Sequence, residues 1–107
     1  MKIEFLFWED CPSYPQAWER VQKVLSELDV SAEIEKIEVI SEEDAERLRF
    51  PGSPTIRVNG QDVAGSAEPP YRLTCRLYFL EDGRPSPLPS EEMIRNTIIN
   101  ARAKGAS

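Results

Sequence analysis

Apolar residues run almost unbroken from Ile3 to Trp8, with only Glu4 interposed. A strand that is apolar on both sides is one covered on both faces, so Lys2 to Trp8 reads as a central strand. The period then changes. Ala17, Val21, Val24, Leu25 and Leu28 recur at helical spacing and form one apolar stripe, while Gln16, Glu19, Arg20, Gln22, Lys23 and Glu27 fill much of the remaining surface. Ser31 to Ile40 reads as a second strand. Its alternation slips between Ile34 and Ile37, a pattern that fits a bulge or an early strand end.

Ser41-Glu42-Glu43-Asp44 has the form of a helix N-cap followed by acids in the first turn. The helix it opens is short, with Ala45 and Leu48 inward, and stops before Pro51-Gly52. Thr55 to Val58 is a third strand leading into an Asn59-Gly60 turn. Gln61 to Tyr71 is hard to place. Leu73 to Leu80 sets Leu73, Cys75, Leu77 and Phe79 on one face and is the preferred fourth strand. The competing placement makes Gln61 to Val63 the return strand. Asp82 to Pro89 is a loop. Ser90 caps a last helix with Glu91 and Glu92 in its first turn, Ile94, Ile98 and Ala101 toward the core, and Arg102 and Lys104 near its end. The order is β-α-β-α-β-β-α. It predicts an α/β protein with a mixed four-stranded sheet and helices on its faces.

Composition narrows this picture. The chain has 107 residues, 40% apolar and 30% charged, which suits a single folded domain over residues 1–107. The acid within the first apolar run argues against a secretory signal, and no stretch is long enough to span a bilayer, so a cytoplasmic protein without membrane contact is expected. A net charge of −6 with no long basic run supplies little for nucleic-acid binding. Arg72 and Arg76 make at most a local patch. There are two cysteines and no histidine. An imidazole-based triad is thereby excluded, Cys11, Cys75 and carboxylates are a poor zinc set, and no metal or cofactor is expected.

Two short segments carry the candidate chemistry. Trp8-Glu9-Asp10-Cys11-Pro12-Ser13-Tyr14 follows the first strand, and Gly52-Ser53-Pro54-Thr55 precedes the third. With the order of elements, they resemble the thioredoxin superfamily. The run from Gly52 to Val63, with Cys75-Arg76-Leu77-Tyr78, resembles small bacterial thioredoxin-like proteins, some grouped loosely with mercury-handling proteins. The resemblance implies a cis Ser53-Pro54 bond lying against the active cysteine, and a backbone there able to pair with an extended substrate peptide.

Cys11 is expected at a strand-to-helix turn, where the positive end of the helix favours a thiolate and Glu9 and Asp10 oppose it. Pro12 fits the first helical position. Tyr14 stands where the resolving cysteine of a Cys-x-x-Cys motif would be, and its hydroxyl is placed to tune Cys11. Trp8, Pro12, Ser53, Pro54 and Thr55 are the candidate substrate-binding residues. The expected function is monothiol exchange through Cys11, with protein thiols or small thiols such as glutathione as partners. The alternative is a redox-inactive binding module for a protein, or for a soft metal or organometal held by Cys11. Cys75 is the candidate resolving thiol. If it lies on a fourth strand it stands about two strand spacings from the first, or ~9–10 Å, beyond the ~7 Å that a disulfide allows between Cα atoms. In the competing placement it can reach Cys11. The sequence leaves the oligomeric state open.

Overall fold

The apolar run at the N-terminus forms β1 (Lys2–Phe7), the strand on which the rest is assembled. The structure, a computed structural model, describes residues 1–105. In chain order the following elements are α1 (Tyr14–Glu27), β2 (Glu33–Glu38), α2 (Glu42–Arg47), β3 (Thr55–Val58), β4 (Gln61–Asp62), β5 (Tyr78–Phe79), β6 (Pro85–Ser86) and α3 (Glu91–Gly105). The main sheet runs β2-β1-β3-β4. β1 is parallel to β2, in a register unbroken from Lys2 opposite Glu33 to Phe7 opposite Glu38. It is antiparallel to β3, which is antiparallel to β4. The protein is thus a mixed α/β protein with a mixed four-stranded sheet.

Both faces of β1 are covered, as its apolarity requires. Ile3, Phe5 and Phe7 join Val21, Val24, Ile94 and Ile98 of α1 and α3 in one cluster. Leu6 points the other way and packs with Val39, Ala45 and Phe50, beside α2. The same division explains the irregular pattern of the second strand. Ile34 packs against the α1/α3 cluster and Ile37 against the α2 cluster, so the slip in alternation reflects an edge strand serving two layers rather than a bulge. The caps follow the sequence. Ser41 Oγ accepts from the Asp44 N–H at 3.0 Å, and Ser90 Oγ from the Met93 N–H at 3.1 Å.

The fourth strand differs from the preferred expectation. Asn59 and Gly60 both take left-handed φ values, 50° and 85°, and reverse the chain within two residues. The free edge of β3 is therefore taken by β4, the return strand of the competing placement. Leu73 to Leu80 does not lie beside β3. Within it β5 pairs with β6 in a separate hairpin, and Cys75 makes an isolated parallel bridge to Ser53. Its facing is also inverted, for Tyr78 is buried while Leu77 and Phe79 are 58% and 61% exposed. Among the described residues, no helix is long and apolar enough to cross a membrane.

Candidate functional site

The site lies where β1 ends and β3 begins, outside the carboxyl end of a central parallel strand. After β1 the chain turns through Trp8 to Cys11, with the Cys11 N–H donating to the Trp8 carbonyl at 3.0 Å. The helix starts three residues later. Ser13 is its N-cap, without a side-chain cap, and Pro15 rather than Pro12 occupies its first turn, where a missing N–H is harmless. Pro12 is exposed in the preceding turn.

Cys11 is only 1% exposed. The thiol lies in the turn after the first strand as its sequence position predicts, but it is buried there, and the helix begins only at Tyr14. Its Sγ donates to the Ser53 carbonyl at 3.4 Å. Ser53 itself is wholly buried, and the Ser53–Pro54 peptide bond is cis. Every polar group of Ser53 is engaged within the chain. Its N–H donates to Thr74 O at 2.7 Å, its carbonyl also accepts from Arg76 N at 2.9 Å, and its Oγ accepts from Trp8 N at 3.0 Å. Residues 74–76 thus form a parallel bridge on Ser53, with Cys75 as its bridge partner. The backbone expected to receive an extended substrate peptide is already paired with the chain's own segment. Pro54 and Thr55 are buried with it.

That segment is clamped by a cationic side chain. Arg76 makes a two-pronged ion pair with Asp62, at 2.8 and 3.1 Å, and the two side chains are 9% and 5% exposed. Arg76 also donates to Thr55 Oγ1 and the Ser66 carbonyl, and lies 4.6 Å from the centre of the Tyr78 ring. The Tyr78 hydroxyl donates to the Pro54 carbonyl at 2.6 Å, and burial holds its phenol well above the ordinary range, so it stays a donor. Further back, the Arg72 N–H donates to Phe50 O and the Leu73 N–H to the Glu42 carboxylate. Gly52 permits the close approach. It holds φ of +144°, and a Cβ there would lie 2.9 Å from Arg76 backbone and side-chain atoms.

The two cysteines converge on Ser53. Cys75 is exposed and free, whereas Cys11 is buried and free. The Cys75 thiol is raised above its usual value, first by partial desolvation, then by hydrogen bonding to Cys11 and by the charge of Cys11. Cys75 opens on a shallow groove lined by Pro51, Pro70, Arg72, Leu77 and Phe79 among others. A hollow of about 730 Å³ between the β3–β4 turn and α3 contains neither cysteine.

The remaining candidates divide. Tyr14 does not donate to Cys11. Its hydroxyl donates to Glu9 Oε2 at 3.1 Å, and its ring stacks on Phe7 at 4.6 Å. The Tyr14 hydroxyl is raised by desolvation and then by that Glu9 bond. Trp8 is partly buried against the Leu6, Val39 and Phe50 cluster. Sequence reasoning did not single out Arg76, Asp62, Tyr78 or Gly52 as a clamp. The available signal was a cation, Arg76, inside the otherwise apolar stretch Cys75 to Leu80. Compared with known protein families, characterised proteins and solved structures, the chain matches none.

Proposed function

We propose that the chain is a thioredoxin-like protein that carries out thiol–disulfide exchange through Cys11, with Cys75 as its second thiol. The observation that carries this reading is the convergence of both cysteines on Ser53, one through its side chain and one through its backbone bridge. Cys75 takes over the part left vacant by Tyr14 in a Cys-x-x-Cys arrangement. A purely monothiol route, with glutathione resolving an adduct on Cys11, is the weaker form, because 1% exposure gives an external thiol no approach to that sulfur. Partners are small or protein-borne thiols and disulfides.

The test is turnover of an organic disulfide in the presence of a reductant. The wild-type protein is expected to exceed an equal concentration of free cysteine, and Cys11→Ser and Cys75→Ser are each expected to lower the rate by about tenfold or more. Wild-type rates in both variants would sink the idea. A second reading is a binding module that kept the fold without redox turnover, holding a protein, a soft metal or an organometal. The occupied Ser53 backbone favours it. Modification of Cys75 by thiol reagents without any disulfide exchange would select it.

A further inference from the structure

We infer that Cys75, and not Cys11, is the sulfur that meets the external partner, and that Cys11 is the internal thiol that resolves the adduct. The inference rests on the exchange reading above and assigns the order of its steps. Thiol–disulfide exchange requires a sulfur in line with the disulfide under attack, so access comes first. Cys11 is buried at 1% exposure, and the 74–76 segment, bridged to the Ser53 that accepts its thiol, is held down by the Arg76–Asp62 pair and the Tyr78–Pro54 hydrogen bond. Cys75 of the same segment is exposed and lines a shallow groove with Leu77 and Phe79. The groove is open, so the substrate class is a small or flexible organic disulfide, RSSR.

The sequence of bonds then follows. The Cys75 thiolate attacks one sulfur of RSSR, forming Cys75–S–SR and releasing RS⁻. The Cys11 sulfur next attacks Cys75 Sγ from inside. The bond between Cys75 and SR breaks, the Cys11–Cys75 disulfide forms, and the second RS⁻ leaves with the proton that Cys11 gives up. The substrate gains two electrons and the protein dithiol loses two. An external thiol runs the steps in reverse, attacking the exposed Cys75 sulfur.

Oxidised glutathione is a suitable probe. Cys11→Ser is expected to accumulate a stable glutathione adduct on Cys75, because nothing inside can resolve it. Cys75→Ser is expected to form an adduct on Cys11 at least about tenfold more slowly, since the sulfur remains covered. Fast modification of Cys11 in Cys75→Ser with none on Cys75 in Cys11→Ser would reverse the order while leaving exchange intact. No adduct in either variant, with circular dichroism showing both folded, would remove the exchange reading and this inference together. The wild-type chain supplies a control free of folding effects. Brief treatment with N-ethylmaleimide is expected to label Cys75 before Cys11, and the opposite order would overturn the assignment.

Discussion

Cys75 holds its proton to higher pH than an ordinary thiol, and the causes can be separated by mutation. Partial desolvation contributes most, followed by the hydrogen bond and charge of Cys11. Replacing Cys11 with Ser removes the neighbouring thiol that helps to raise the Cys75 value, and so lowers it. More thiolate is then present at any fixed pH below it. The alkylation rate of Cys75 at about pH 8 is expected to rise severalfold in Cys11→Ser, with the pH profile displaced to the acid side. An unchanged profile would mean that the two sulfurs do not sense each other. The raised value does not conflict with an outward role for Cys75, because an exposed thiol that ionises slightly still reacts, whereas a sealed one is not encountered. At this scale the sequence located both cysteines and the proline. It could not show that Cys11 is buried, since residues 74–76, bridged to the Ser53 that accepts its thiol, lie more than sixty positions further on. Nor could it show that Tyr14 would prefer Glu9, a choice made by two side chains on either side of one turn.

Among the elements, the segment from Thr74 to Tyr78 departs most from its pattern. Its alternating apolar residues describe a strand in the main sheet, yet Arg76 and Tyr78 point inward and the apolar Leu77 and Phe79 point out. A buried two-pronged ion pair sets that facing. Removing one partner of such a pair costs about 3–5 kcal/mol, and the same facing buries the Tyr78 ring. Gly52 is where this segment can be loosened with a single methyl group. Gly52→Ala places a Cβ 2.9 Å from Arg76 at a φ that disfavours side chains. A loss of about 1–3 kcal/mol in denaturant unfolding is expected, together with faster labelling of Cys11 in the folded state. Unaltered stability and labelling would show that the contact between segment and Gly52 does not hold the cover in place. By contrast, α1, α2, α3, β1 and β3 were legible, because each presents its apolar residues to fixed layers. β4 was less so, being only two residues long and defined by the Asn59-Gly60 turn rather than by any periodicity of its own.

At the scale of the whole molecule, the sheet separates two apolar clusters, one under α1 and α3 and the other beside α2. The β1 terminus, with the Cys11 turn, emerges between them. Segment 74–76 crosses that opening, so the part of the surface that would face a partner is furnished by Cys75 and its groove. Alternating layers made the α/β class readable from the chain. The crossing segment was not readable, since it carries no repeat and is held by single hydrogen bonds and one ion pair from distant residues. The central claim is that two cysteines distant in sequence act as one redox pair. The most direct measurement is mass analysis of proteolytic peptides after mild oxidation of the native protein. A Cys11 peptide joined to a Cys75 peptide within one chain, lost again on reduction, is the expected result. Two free thiols, or disulfides found only between separate chains, would contradict it.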